Sequence, residues 1–136
     1  ANDEALACEI ELHGVKDFIR RWESLPLFES QLQLPNPVRA KRHAQRLRNT
    51  EAGLASALRG LGTGALPSLW EALPSIQTRT LIIAGELDTK FVEIGEQMTA
   101  VLPQAQLCIV PGAGHTVHLE QPRRWVKAVA EFIYST

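Results

Sequence analysis

Two histidines and an aspartate stand in glycine-containing turns, each after a run of apolar residues. His115 and His118 lie in "VPGAGHTVHLEQP", and Asp88 lies in "GELDTKF" after the run "LIIA". A carboxylate hydrogen-bonded to an imidazole fixes its tautomer and lets it act as a base, as in a nucleophile–histidine–acid triad. Asp88 and His115 are therefore candidate catalytic residues. The alternatives are an aspartate that only shapes a turn or caps a helix, and a histidine that is only a surface group.

Metal binding is the other chemistry that a histidine pair suggests. Zinc takes three or four protein ligands, and no third histidine or cysteine lies close to His115 and His118 in the sequence. We therefore predict no metal site. We expect His118 to be a bystander that packs or hydrogen-bonds at the start of the last helix.

The elements that must position Asp88 and His115 form a βαβα unit. Short β-branched runs predict strands over residues 79–85 and 105–110, both buried on both faces, and helical periodicity follows each of them. A helix lies between the two strands and is joined to each by a short connection, so we expect the strands to be parallel with a right-handed crossover. Ligands bind at the carboxyl ends of parallel strands, so the loops carrying Asp88 and His115 should meet at one end of the sheet.

The first half of the chain predicts helices and no strand. Residues 2–23 are one helix, or two broken near Gly14, and a basic helix follows the turn at Asn36 and Pro37. A further helix starts at Thr50 and ends in the glycine-rich "GLGTGALP", and "PSLWEAL" predicts a short helical turn. We therefore divide the chain into a helical region, residues 1–74, and a βαβα region, residues 75–136.

The balance of charge argues against polyanionic partners. The 136 residues include 14 Lys+Arg and 15 Asp+Glu, a formal net charge of −1, which gives no reason to expect nucleic acid or an anionic membrane. No apolar run approaches the roughly 18 residues of a membrane span. Cys8 and Cys108 have neither metal-type spacing nor a multi-bridge pattern, which favours buried thiols in a reducing, cytoplasmic compartment.

Together these segments carry a resemblance to a known family. "LIIAGELDTKF" and "PGAGHTVHLEQP" resemble the C-terminal end of an α/β-hydrolase. With "WESLPLF" and "RLRNTEAGLASALRGLGTGALPSLWEAL", the chain resembles the 2-succinyl-6-hydroxy-2,4-cyclohexadiene-1-carboxylate synthases of the menaquinone pathway. The resemblance implies an α/β fold in which residues 1–74 are a helical cap and residues 75–136 belong to the core, with the N-terminal half of the fold absent.

The resemblance also implies roles for individual residues. Asp88 and His115 would be the acid and base of a triad, and Arg46 and Trp22 would bind a small carboxylate substrate, from which pyruvate is eliminated without metal or organic cofactor. From the residues alone, the favoured interpretation of Arg46 is a solvated member of a basic helix face. The plain alternative for Trp22 is a core aromatic of an amphipathic helix. Lys90 is either an ion-pair partner or a contact at the rim of the site, and stays unassigned.

The nucleophile of such a triad is missing from the sequence. A hydrolase serine occupies a G-x-S-x-G elbow, and none of the serines here stands in that motif. We expect a fragment that is inactive alone and needs the missing half of the fold, or a second copy, to cover its apolar faces. The alternatives are an ester or carbon–carbon-bond hydrolase of the same fold, or a noncatalytic helical interaction fragment.

Overall fold

The computed structural model describes residues 2–62 and 66–135, which cluster into two compact units. The first unit comprises the described residues of Ala1–Leu25 and Pro35–Ser68, and the second those of Pro26–Leu34 and Leu69–Thr136. In this division, residues 26–34 and 69–74 belong to the same compact unit as the strands. Compactness does not test the predicted boundary between cap and core at residue 74, which stays a prediction. Part of the predicted glycine-rich turn, residues 63–65, lies outside the described residues.

The first unit consists of helices, as predicted: α1 (Asn2–Glu23), α2 (Asn36–Arg46) and α3 (Glu51–Leu61). Of the two alternatives for residues 2–23, one helix or two, the structure shows a break at Gly14, whose φ of 81° lies in the left-handed region that only glycine adopts without strain. The backbone N–H of Val15, which follows the kink, donates to the Glu51 carboxylate at 3.3 Å. The kink therefore ties the start of α3 to the middle of α1.

The core of the first unit lies between α1 and α3. Its buried residues follow the apolar spacing of α1, and partly buried side chains from both helices pack around them: Leu6, Ile10, Val15, Phe18, Ile19, Trp22, Leu54 and Leu58. Thr50 caps α3 by accepting a hydrogen bond from the N–H of Gly53 at 3.1 Å. The basic helix α2 has no buried residue.

The second unit contains the predicted βαβα arrangement. Two 3₁₀ helices (Pro26–Gln33 and Trp70–Ser75) are followed by β1 (Thr80–Gly85), α4 (Thr89–Val101), β2 (Ala105–Val110), a short α5 (Val117–Glu120) and α6 (Pro122–Tyr134). The strands are parallel, with Thr80 opposite Ala105 and Gly85 opposite Val110. Both strands therefore end at the same edge of the sheet, as the sequence predicted; the 3₁₀ helix Pro26–Gln33 and α5 were not expected.

Two expectations about burial are wrong. The strands are not buried on both faces, since Ile109 is 40% exposed and in β1 only Ala84 and Gly85 are buried. The described residues form a sheet of two parallel strands. Cys8 is also exposed, because it lies on the polar side of α1, where its thiol donates to Glu4; Cys108 is half-buried.

The described helices include none that is both long enough and apolar enough to cross a membrane.

Candidate active site

The loops that follow β1 and β2 are hydrogen-bonded to each other. The N–H of Leu87 donates to the carbonyl of Ala113 at 2.9 Å, and the N–H of Glu86 donates to the carbonyl of Val110 at 3.0 Å. Gly85 makes this approach possible, because a Cβ at that position would overlap the carbonyl oxygens of Ala113 and Gly114. Gly85 therefore both ends β1 and allows the two loops to come into contact.

Asp88 and His115 meet at this junction. The Nδ1 atom of His115 lies 2.6 Å from Oδ2 of Asp88. Asp88 stands at the N-cap of α4 but makes no side-chain cap bond, so its carboxylate is not the ordinary helix cap that the sequence left open. The Asp88 side chain is 7% exposed and the His115 side chain 32% exposed. The pair therefore has a buried acid and an imidazole that solvent or a ligand can reach.

The hydrogen bond fixes which nitrogen of His115 can accept a proton. An ionised carboxylate is only an acceptor, so Nδ1 of the neutral imidazole carries the hydrogen and Nε2 carries the lone pair. Phe91 and Phe28 pack edge-on against the imidazole, with ring centroids 4.9 and 5.9 Å away. In the part of the chain that the structure describes, Nε2 has no hydrogen-bond partner, which leaves it available as a base.

Glu120 holds the backbone on both sides of His115. Its Oε2 accepts from the N–H of Gly114 at 2.7 Å, and its Oε1 accepts from the N–H of Thr116 at 3.0 Å. The Thr116 hydroxyl in turn accepts from Gln31 Nε2 at 2.6 Å. Glu120 was not among the residues predicted to form the site. The signal in the sequence was an acidic residue five positions after His115, close to the predicted start of the last helix.

A cavity of about 460 Å³ opens beside the Asp88–His115 pair. It is lined by both members of the pair, by the loop after β1, by the start of α4 and by the 3₁₀ helix Pro26–Gln33. The residues that line it are Pro26, Leu27, Glu29, Ser30, Gln33, Leu87, Asp88, Thr89, Lys90, Gly114 and His115. A small molecule in this cavity would have access to the imidazole.

Trp22 and Arg46, the predicted substrate-binding residues, line a second cavity, of about 420 Å³, within the first unit. Trp22 packs on Phe18, with ring centroids 5.5 Å apart, as the core interpretation predicted. The Arg46 side chain is 19% exposed, and its NH1 donates to Glu23 Oε1 at 2.8 Å. Burial disfavours ionisation of Glu23, but hydrogen bonds from Arg46 and His43 outweigh it and lower the pKa of Glu23.

His118, the other histidine of the turn, lies against the last helix. The His118 ring lies edge-on to Trp125 of α6, with centroids 6.2 Å apart. Among residues 2–62 and 66–135, no three His, Cys, Asp or Glu side chains cluster as a metal site requires. His118 therefore packs at the start of the last helix, where it was expected.

Comparison with known proteins gives the family of this arrangement. The Alpha/beta hydrolase family matches residues 7–129. A Bacillus subtilis (strain 168) protein whose name describes it as a 2-succinyl-6-hydroxy-2,4-cyclohexadiene-1-carboxylate synthase is 45% identical over 98% of this chain and 48% of its own length. The chain thus spans about half the length of this curated relative.

Solved structures agree with this result. The structure of MenH from S. aureus has a TM-score of 0.94 and 38% identity, covering 96% of this chain and 49% of that one. A thermophilic esterase from Thermogutta terrifontis, solved with malate bound, has a TM-score of 0.80 and 26% identity, covering 97% of this chain and 48% of that one. The two-stranded sheet and its helices match the C-terminal part of the MenH fold. The chain belongs to the alpha/beta hydrolase family.

Proposed function

We propose that this chain is part of a carbon–oxygen lyase that converts 2-succinyl-5-enolpyruvyl-6-hydroxy-3-cyclohexene-1-carboxylate into 2-succinyl-6-hydroxy-2,4-cyclohexadiene-1-carboxylate and pyruvate. The observation that carries the proposal is the 2.6 Å contact between Asp88 and His115 beside an open cavity. Further support comes from the similarity to a relative whose name describes a synthase of this product.

The reaction needs a base more than it needs a covalent nucleophile. The ring C2–H of the substrate lies next to the succinyl carbonyl and is therefore acidic. Its removal sends an electron pair into a new C2=C3 bond, the old C3=C4 bond shifts to C4=C5, and the C5–O bond breaks. Pyruvate leaves as its enolate, and the ring becomes the 2,4-diene. One ring proton and one leaving group are lost, so no oxidant or reductant is consumed.

His115 is the group on this chain that suits proton transfer. Its Nε2 is the basic nitrogen, and Asp88 stabilises the imidazolium that forms when Nε2 takes a proton. We propose that a serine from a part of the protein outside this chain completes the triad, since the 136 residues contain no G-x-S-x-G elbow. His115 would then act on the C2 proton directly or through that serine.

Arg46 and Trp22 are proposed to hold the substrate. The substrate has three carboxylates, on the ring, the succinyl group and the enolpyruvyl group, and a guanidinium binds such groups well. Glu23 already accepts a hydrogen bond from Arg46, so a substrate carboxylate would share the guanidinium with Glu23. The indole of Trp22 would supply apolar surface for the ring.

The test compares the two histidines of one turn. In the full-length protein that contains this chain, His115→Ala should lower the rate of pyruvate release by about 10²- to 10⁴-fold, the usual contribution of a general base. His118→Ala, three residues away, is the matched control and should retain most of the activity. Pyruvate release that survives His115→Ala nearly unchanged would remove His115 from the mechanism.

Ester hydrolysis is the second candidate function, favoured by the similarity to the Thermogutta terrifontis esterase. It would use the same Asp88 and His115, with the histidine activating the serine for attack on the ester carbonyl. Hydrolysis of 4-nitrophenyl acetate together with no pyruvate release would favour the esterase. Pyruvate release with slow ester hydrolysis would favour the lyase.

A further inference from the structure

Lys90 stands at the entrance to the proposed reaction centre. It lies in the first turn of α4, two residues after Asp88, and lines the same cavity as His115. Its Nζ atom lies 5.7 Å from the centre of the Phe91 ring, and the Phe91 ring lies 4.9 Å from the His115 ring. One aromatic ring thus separates the ammonium group from the imidazole.

Three charged side chains are among the described residues that line the cavity. Among the described residues that line the cavity, Lys90 is the one that carries a permanent positive charge, and Asp88 and Glu29 carry negative charges. Asp88 is engaged by His115. Lys90 forms no ion pair with a carboxylate in residues 2–62 and 66–135, whereas Lys127 pairs with Glu131 at 3.6 Å.

We infer that Lys90 binds a carboxylate of the substrate and makes the site selective for anions. The inference rests on the proposed function and adds a specificity residue to it. Glu29 repels an anion from its own side of the cavity, so the carboxylate settles on the Lys90 side. The weak cation–π contact with Phe91 leaves the N–H donors of Lys90 available for the carboxylate.

The test measures binding, so it does not depend on the reaction. Phthalate, a cyclic dicarboxylate, and phthalamide, its neutral diamide, are titrated by calorimetry into the full-length protein and its variants. Lys90→Met should weaken phthalate binding about tenfold, as expected for loss of one charge-assisted hydrogen bond, and should leave phthalamide binding unchanged. Lys90→Arg should retain the preference for phthalate, and Glu29→Gln should strengthen it.

The matched control is Lys127→Met, which removes the same charge from an exposed position of α6. Phthalate binding that is the same in Lys90→Met and Lys127→Met would overturn the inference, and so would a wild-type protein without preference for phthalate over phthalamide. In the pyruvate assay, Lys90→Met should raise KM with little change in kcat, because the contact is already made in the ground state. A protein that releases no pyruvate but shows the Lys90-dependent preference would refute the proposed reaction and retain the anion site.

Discussion

The loop that carries His115 depends on one side chain, and removing that side chain is the sharpest test of how the site is built. Glu120→Ala leaves the N–H groups of Gly114 and Thr116 without the acceptor they have at 2.7 and 3.0 Å. Hydrogen bonds to charged groups contribute about 1.5–3 kcal/mol each. The two bonds share one carboxylate, and water can replace part of its role at these part-buried N–H groups, so we expect a loss of about 2–3 kcal/mol of support for the loop, less than the sum of two full bonds.

This free energy sets the expected change in rate. If the loss is expressed wholly in the position of His115, 2–3 kcal/mol corresponds to a decrease in kcat of about 30- to 150-fold. Global stability should decrease less, because a loop can open locally without unfolding the strands beneath it. Glu120→Gln should fall between wild type and Glu120→Ala, since its amide has one acceptor oxygen for two N–H donors.

The assay combines pyruvate release, or ester hydrolysis if that is the activity, with thermal unfolding of the full-length protein. Glu131→Ala is the control: Glu131 lies on α6, its side chain is 68% exposed, and its removal should change neither measurement by much. A Glu120→Ala protein with wild-type kcat would refute the reasoning. A loss of kcat explained wholly by the fraction of unfolded protein would refute it as well.

Three further predictions concern the scaffold. Gly85→Ala should destabilise the second unit by about 2–4 kcal/mol in chemical denaturation, because its Cβ would overlap the carbonyl oxygens of Ala113 and Gly114; an unchanged midpoint would contradict the close approach. Thr50→Ala should cost about 1 kcal/mol by removing the cap of α3, and Ser at this position should restore the stability. Hydrogen bonds from Arg59 lower the pKa of Glu4 and Glu11 below 4.5. The stabilisation is therefore present above pH 4.5 and is lost as pH falls through the lowered pKa values, so Tm values of wild type and Arg59→Met should converge in acid and differ at neutral pH.

The sequence predicted the parts of the site that follow from local pattern. Two apolar runs ending in glycine defined parallel strands, and parallel strands place their carboxyl ends together, so the proximity of Asp88 and His115 needed no further information. The kink at Gly14 was equally local, since glycine inside a helical pattern is the residue that tolerates positive φ.

Contacts between segments that lie far apart in the sequence could not be predicted from local sequence patterns. Gln31 meets Thr116 across 85 positions, and the 3₁₀ helix that carries it has a sequence that predicted only a turn. Glu120 could not be identified for a different reason. Its two hydrogen bonds require the backbone around His115 to fold back onto α5, and the periodicity of apolar residues does not predict the path of a loop. The exposure of Ile109 depends on what packs against its face of the sheet, which the sequence of β2 itself does not encode.

Arg46 and Lys90, the two cationic residues proposed to bind the substrate, differ in whether a neighbouring carboxylate neutralises their charge. Arg46 is hydrogen-bonded to Glu23, and the lowered pKa of Glu23 keeps that carboxylate ionised at neutral pH, so the guanidinium acts as half of a neutral pair. A substrate carboxylate that approaches Arg46 also meets the charge of Glu23, and the geometry of the guanidinium then matters more than its net charge. Lys90 has no such partner among the described residues, so its contribution is mainly electrostatic and should weaken with added salt. The two residues are therefore suited to different tasks: Arg46 to orienting one carboxylate, and Lys90 to selecting anions over neutral ligands.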